Sequence, residues 1–167
     1  VYYVKVKSTN PNESGDASVE AYRELYHGKH IVGQTSGVVA KVVTSTAETS
    51  TDKLTLFVRF ERQGTDTSHS SAFTAGETLV LCSFNSSGVV SEDTTSNNDF
   101  TVEDATENPI GRSSYANISE GVVYIRGYFC KVAAQDLILE KYSSKPSYRI
   151  GLIVKEEIIS TAEDNSL

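Results

Sequence analysis

The chain has 167 residues, a length that is enough for one ordinary domain or for two small β modules that share a core. Its formal net charge is −7, and 38% of its residues are apolar. The fifteen basic residues are scattered, which argues against a nucleic-acid surface and against a polybasic membrane-binding segment. Apolar runs span only a few residues, far short of the roughly 20 that a membrane helix needs. These two observations together mean that neither nucleic acid nor membrane is an expected partner.

The N-terminal part of the chain predicts one strand and one short helix. Residues 1–7 alternate between apolar and polar side chains, as a half-exposed strand does. A helix is predicted at about residues 16–27, with Asp16 or Ser18 as its N-cap and Gly28 as the residue that ends it. The apolar positions of this helix recur at helical spacing and are Val19, Tyr22, Leu25 and Tyr26.

Short strands dominate the sequence after residue 28. Residues 53–61 show the pattern most clearly, because apolar and polar side chains alternate and predict one dry face and one solvated face. Polar turns join these strands, so residues 1–84 predict an N-terminal β module in the form of a small barrel or a sandwich. The strands after the helix are predicted at residues 30–32, 37–44, 53–61 and 76–84.

The second half of the chain begins with a change in composition. Residues 85–113 are rich in Ser, Thr, Asn, Asp and Glu and predict a polar loop or linker, because such a segment buries little apolar surface. Residues 114–167 predict an antiparallel β meander. Because the chain begins at Val1 without a Met, we expect a fragment whose meander is truncated at the C-terminus. The strands of the meander are predicted at residues 121–132, 136–142 and 147–159.

Three histidines are the candidates for metal ligands. His27 and His30 lie three residues apart across the predicted helix end, and Glu24 lies one turn earlier, but no fourth ligand is evident. His69 stands between serines in a turn-prone segment, where adjacency alone does not orient a base against a nucleophile. The sequence therefore predicts no catalytic residue, no cofactor site and no metal site. Convergence of histidines on the axis of a symmetric trimer is the alternative.

The two cysteines, Cys82 and Cys130, each lie inside a predicted strand. Free cysteine is among the most buried residue types and packs as a small apolar group, so two buried free thiols are expected. A disulfide between the two is the alternative that the sequence leaves open.

Several runs of sequence resemble a known family. The run at residues 118–129, ISEGVVYIRGYF, is similar to part of an uncharacterised structural domain found in tail, baseplate and tail-fibre proteins of tailed bacteriophages. The resemblance covers residues 117–167 and is fainter at residues 31–42. The further runs that carry it lie at residues 137–139, 148–152, 156–161 and 163–167.

The resemblance implies a structural protein of the virion, located in the phage tail. Its partners would be other virion subunits and further copies of the same chain, with a trimer as one such form. The family has no established catalytic residues, so no enzyme activity is expected. The alternative is a receptor-binding or carbohydrate-binding adhesin module. In that interpretation Tyr115 and Tyr142, predicted to lie in loops, stack on sugars in place of Trp, which the chain lacks.

Overall fold

The main sheet of the protein contains eight antiparallel strands. The structure, a computed structural model, describes residues 1–12, 18–64, 70–93 and 98–156, and within these ranges the protein is mainly β, as the sequence predicts. The sheet is built from strands before residue 85 and from strands within the polar stretch at 85–113. Its strands are β1 (Tyr2–Lys5), β2 (His30–Gly33), β3 (Val39–Thr46), β4 (Thr55–Arg62), β5 (Thr78–Phe84), β6 (Val90–Glu92), β7 (Phe100–Thr101) and β8 (Ile110–Arg112).

The strand order of this sheet is β6-β5-β2-β3-β4-β1-β8, and β7 also pairs with β5. Single hydrogen bonds draw the distant parts of the sheet together: the Lys7 amide donates to the Thr101 carbonyl at 2.8 Å, and the Glu103 amide donates to the Lys5 carbonyl at 2.9 Å. An isolated bridge between Val6 and Val102 lies beside them. Among the described residues these contacts do not form a closed barrel, so the structure supports an antiparallel β fold rather than the finer prediction of a barrel or sandwich.

The core of the main sheet is one large cluster of buried side chains, and Val32, Val39, Val80 and Cys82 form a second, smaller cluster. Leu54, Leu56 and Val58 are fully buried in the large cluster, as the alternation in residues 53–61 predicts. The predicted solvated face of that segment is wet only in part, because Thr55 and Phe57 are also fully buried. Burial of a large apolar side chain stabilises the fold by roughly 1.5–3 kcal/mol. The other fully buried large side chains of this core include Val4, Val6, Val19, Ile31, Val38, Val42, Leu79 and Phe100.

The predicted helix at about residues 16–27 is not an α-helix in the described part of the chain. Val19–Ala21 and Arg23–Tyr26 form two short 3-10 helices, and Asp16 lies outside the described residues. Ser18 is the N-cap, since its hydroxyl accepts a hydrogen bond from the Glu20 amide, and Gly28 follows with a positive φ of 78°. The segment is too short to stabilise an α-helix by itself, so tertiary contacts determine its form.

The segment predicted as a polar linker, residues 85–113, contributes β6, β7 and β8 to the main sheet. Two of its apolar side chains, Phe100 and Val102, are fully buried, and the rings of Tyr22 and Tyr26 pack on Phe100 with centroids 5.3 and 4.8 Å away. Val90 and Ile110 are partly buried against the two apolar clusters, so a few apolar side chains bring part of a polar segment into the sheet. The division of the whole chain into modules stays a prediction.

The C-terminal arm, defined here as residues 114–156, carries two separate two-stranded sheets. The single strand predicted at residues 121–132 is instead a hairpin, because Arg126 and Gly127 both take positive φ values (49° and 98°) that make a two-residue turn. Residues 147–156 form no strand, and 157–159 lie outside the described residues, so the three-stranded meander is not observed. The strands of the arm are β9 (Ser114–Ile118), β10 (Gly121–Ile125), β11 (Tyr128–Val132) and β12 (Gln135–Glu140), paired as β10 with β11 and β9 with β12.

Candidate assembly surface

The exposed apolar side chains of the protein are concentrated in the C-terminal arm. Among the described residues, thirteen of the sixteen large apolar side chains that are exposed lie between residues 118 and 154. A soluble monomer rarely exposes one contiguous apolar patch larger than a few hundred Å². The thirteen side chains are Ile118, Val122, Val123, Tyr124, Tyr128, Phe129, Leu137, Tyr142, Tyr148, Ile150, Leu152, Ile153 and Val154.

One face of the β10–β11 hairpin presents an aromatic pair to solvent. The strand register places Tyr124 directly opposite Phe129, and the two ring centroids lie 5.2 Å apart at a tilt of 56°. Val122 lies on the same face, opposite Lys131. Tyr124 is 65% exposed and Phe129 is 80% exposed, so the pair is packed only against itself.

The opposite face of the same hairpin is also apolar. Val123 lies opposite Cys130, and Ile125 lies opposite Tyr128, which is 72% exposed. A half-buried hairpin has one apolar face and one polar face. Here both faces are apolar, and neither is covered in the described part of the chain. Both faces of the hairpin are therefore available for packing against another surface.

Residues 148–154 form a third exposed element of the arm. Tyr148, Ile150, Leu152 and Val154 alternate with other residues in the manner of a strand, yet the segment pairs with no strand in the described residues. Ile150, Gly151 and Leu152 lie against the β9–β12 sheet, where they line a cavity of about 310 Å³ with residues of both strands. The carboxylate of Glu156 then pairs with Arg126, at the hairpin turn, over 3.0 Å.

A cluster around Asp52 attaches the arm to the main sheet. The Lys141 ammonium donates to Asp52 at 2.8 Å, and the Tyr142 hydroxyl donates to the second carboxylate oxygen. The Tyr3 ring meets the Tyr142 ring edge-on at a centroid distance of 4.8 Å, and the Lys5 ammonium lies 4.9 Å from the centre of the same ring. This Asp52 cluster, meaning Asp52, Lys141 and Tyr142, fixes the end of β12 on β1 and on the loop before β4.

The ionisation of the Asp52 cluster follows from these contacts. Burial alone would raise the pKa of Asp52, but the hydrogen bonds from Lys141 and Tyr142 outweigh burial and lower the pKa below its ordinary value of 3.8. Burial, together with the hydrogen bond to Asp52, raises the pKa of Tyr142 to about 12. The cluster therefore keeps a charged carboxylate and a neutral phenol at neutral pH.

Two hydroxyls make a second attachment. The Ser113 hydroxyl donates to the Glu140 carbonyl at 2.9 Å, and the Ser114 hydroxyl donates to the Ser143 carbonyl at 2.7 Å. Both serines are buried, so each hydrogen bond satisfies a polar group that has left water. The arm thus has a fixed base at residues 113–114 and 140–143, while its hairpin carries the exposed surface.

The candidate metal ligands His27, His30 and Glu24 each contact a different side chain. His27 Nε2 lies 2.7 Å from the Ser45 hydroxyl, and His30 Nε2 lies 2.9 Å from a Glu61 carboxylate oxygen. Glu24 pairs with the neighbouring Arg23 at 3.0 Å, and His69 lies outside the described residues. Where the chain is described, no three His, Cys, Asp or Glu side chains form a metal-binding group.

The two cysteines have different surroundings, and both are free. Cys82 is buried in β5, as predicted, and burial, with a smaller contribution from Glu92, raises its pKa to about 11. Cys130 is exposed, so the prediction that it is buried was wrong. The reason is that, among the described residues, its strand β11 pairs only with β10 and its side chains are left largely exposed.

The tyrosines proposed for sugar stacking are already engaged. Tyr115 lies in β9 rather than in a loop, and its hydroxyl donates to Asp136. Tyr142 follows β12, but its ring and hydroxyl belong to the Asp52 cluster. A sugar that stacks on Tyr142 would have to displace the contacts that attach the arm.

Comparison with protein-family models, with curated proteins and with solved structures finds no match for this chain. No helix in the described ranges is long and apolar enough to cross a membrane.

Proposed function

We propose that the chain is a structural component of a virion, part of a tail, baseplate or tail fibre of a tailed phage, and that its activity is assembly. The observation that carries the proposal is the apolar C-terminal arm, whose hairpin exposes both of its faces. The virion context comes from the sequence resemblance at residues 117–167, which coincides with the described arm over residues 117–156. The proposed partners are other virion subunits and further copies of the chain.

Energetics support assembly as the role of the arm. A two-stranded hairpin is marginally stable in water by itself, and three or more strands with a covered apolar face are needed for independent stability. The β10–β11 hairpin has two strands and no covering layer in the described residues. A partner that covers it removes apolar surface from water and also completes the sheet, so binding and ordering stabilise each other.

The main sheet is proposed to act as the rigid base of the subunit. In this proposal residues 1–84 form a barrel-like or sandwich-like module, and residues 114–167 become a full antiparallel meander in the assembled particle. The contacts of the Asp52 cluster support this view, because they hold the base of the arm at a defined position on β1. A fixed base reduces the entropy that is lost when the arm binds a neighbour.

Lysine reactivity tests the proposal directly. Lys131, Lys145 and Lys155 lie on the exposed arm, and Lys29 is an exposed control outside it. In purified particles of the phage that encodes the chain, we expect an amine-acylating reagent to label the three arm lysines several-fold less than in the isolated chain. Lys29 corrects for general differences in reactivity. If the arm lysines are labelled equally in both samples, the arm is not an assembly surface; if the chain is missing from the particles, the virion role is wrong.

A further inference from the structure

We propose that the partner of the arm is the arm of a second copy of this chain, and that residues 148–154 of one copy add as a strand to the β10–β11 hairpin of the other. This inference rests on the proposed function, since it names the partner of the same surface. The proposed contact is between the arms of two copies, not between the arm of one copy and the main sheet of the other.

Residues 148–154 have what a strand needs except a neighbour. Ile150, Leu152 and Val154 fall on one face by alternation and are 53%, 47% and 47% exposed, while Ile153 on the other face is 89% exposed. Backbone groups of an extended segment are satisfied in a ladder once an edge is available. Within the described residues the segment therefore has the pattern of a strand without a pairing strand.

The hairpin supplies the edges. In the described residues β10 pairs only with β11, and β11 pairs only with β10, so each strand has one free edge. A third strand would bring the hairpin to the number of strands that an independently stable sheet requires. The two apolar faces then allow the enlarged sheets of two copies to pack on one another.

The chain does not offer its own hairpin and its own segment to each other along their lengths. Ile150 and Leu152 are held beside Ala116 and Leu137 on the β9–β12 sheet, and the described contact with the hairpin is made at its turn, where Glu156 pairs with Arg126. The middle of the segment therefore lies at the other sheet of the arm. A hairpin from a second copy can approach the solvent side of the segment without displacing these contacts.

The exposed area is sufficient for a stable interface. The thirteen exposed apolar side chains present on the order of 1,000 Å² in each copy, since one aromatic side chain alone buries roughly 150–250 Å², and a standard interface buries about 800 Å² per partner. A foreign partner would have to match both faces of the hairpin. A second copy brings matching apolar faces and a matching free edge by symmetry.

The distribution of charge favours contact between arms. Residues 114–156 carry six basic and four acidic side chains and residues 157–167 add three acidic ones, so residues 114–167 have a net charge of −1, whereas residues 1–113 carry nine basic and fifteen acidic side chains, a net −6. Main sheets therefore repel one another more strongly than the C-terminal parts of the chain do. Because salt screens the repulsion between main sheets, association between arms is expected to be strengthened by salt.

Sedimentation velocity of the 167-residue chain tests the inference. The wild-type chain is expected to form a discrete oligomer whose dissociation constant falls as salt is raised. Phe129→Asp places a charge on the hairpin, and Ile153→Pro removes a backbone donor from the added strand; each is expected to raise the dissociation constant at least about tenfold. Leu25→Asp, at a 61% exposed apolar position outside the arm, is the matched control and is expected to leave association unchanged.

Circular dichroism and thermal unfolding of each variant separate loss of association from loss of folding, because neither Phe129 nor Ile153 is buried. A wild-type chain that stays monomeric, an oligomer that survives either arm substitution, or an oligomer that dissociates as salt is raised overturns the inference. A monomeric chain whose arm lysines are nevertheless protected in particles leaves the assembly role standing with a different partner. The failure of one proposal is thus distinguishable from the failure of the other.

Discussion

The main sheet and the C-terminal arm are built from the same kinds of residue but differ in burial. In β4 the first four side chains are all buried, and in β10 and β11 none is. Both regions are rich in Val, Ile, Leu, Phe and Tyr, so strand propensity alone does not separate them. What separates them is the number of neighbouring strands, since β4 lies between β3 and β1 while each hairpin strand has one neighbour.

This difference shows that secondary structure and burial have separate causes in this protein. Local alternation is enough to form a strand, but burial needs other side chains packed on the sheet, and Val19, Tyr22 and Tyr26 of the 3-10 helices belong to the core of the main sheet. The hairpin of the arm has no such cover in the described residues. Exposed apolar side chains in this number are typical of interaction surfaces, which is why we propose a partner for the arm.

Truncation of one phenylalanine in each region gives the largest expected contrast. Phe57 is fully buried and Phe129 is 80% exposed. Phe57→Ala should lower the free energy of unfolding by about 3–5 kcal/mol, because it removes a large buried side chain and leaves a cavity. Phe129→Ala should change it by less than about 0.5 kcal/mol when association is prevented by high dilution.

Urea unfolding followed by circular dichroism measures both values. Equal losses of stability for the two variants would contradict the division into a buried sheet and an exposed arm. A large loss for Phe129→Ala alone would show that the hairpin packs on the main sheet of its own chain.

The sequence predicted the buried sheet better than the arm for physical reasons. The strands β3, β4 and β5 and the dry face of Leu54, Leu56 and Val58 follow from alternation, which is a local signal. The turn between Gly33 and Gly37 also has a local cause, because Gly37 takes a φ of 65°, which glycine adopts readily. The hairpin turn was missed because Arg126 takes a positive φ, which side-chain-bearing residues rarely adopt.

Long-range polar contacts were beyond the reach of sequence patterns. Asp52 and Lys141 lie 89 positions apart, and no local pattern marks either of them. The buried carboxylate of Glu77 is a second case, because it accepts hydrogen bonds from the Thr35 and Ser36 amides at 3.0 and 2.9 Å, more than 40 positions away. Such pairs are decided by the fold as a whole. The sequence predicted a role in assembly but not the residues of the assembly surface. Those residues were identified from the exposure of their side chains in the structure.

Disruption of the Asp52 cluster should have an intermediate effect that is confined to the arm. Asp52→Asn removes the charge that holds Lys141, and partly exposed ion pairs contribute roughly 0.2–1 kcal/mol. Amide hydrogen exchange should accelerate in β9 and β12 and stay unchanged in β3 and β4. Glu156→Gln, which breaks the exposed pair with Arg126 inside the arm, is the control and should leave β9 and β12 unaffected.

The pH dependence of the same exchange has a definite sign. The pKa of Asp52 is lowered in the folded chain, so its contribution is complete above about pH 4 and is lost as the pH falls through the lowered value. The pKa of Tyr142 is raised to about 12, so its contribution is complete below its ordinary value of 10.0 and is lost as the pH rises toward 12. Beyond the intrinsic pH dependence of exchange, arm protection that strengthens below pH 4 would contradict the geometry of the cluster.

Thiol labelling should distinguish the main sheet from the arm, and of these experiments it has the smallest expected effect on stability. Cys130 lies on the exposed hairpin face beside Val123, whereas Cys82 is buried with a pKa of about 11. A maleimide at neutral pH should modify Cys130 rapidly and Cys82 slowly, since the thiolate is the reactive form and access is limited in β5. Cys130→Ser serves as the control that assigns the fast phase. Modification of Cys130 should leave the free energy of unfolding unchanged, because the side chain is exposed. Labelling of Cys130 should also slow as the concentration of the chain is raised, because association between arms covers the hairpin face on which Cys130 lies. A labelling rate that is independent of concentration would mean that this face stays open to solvent.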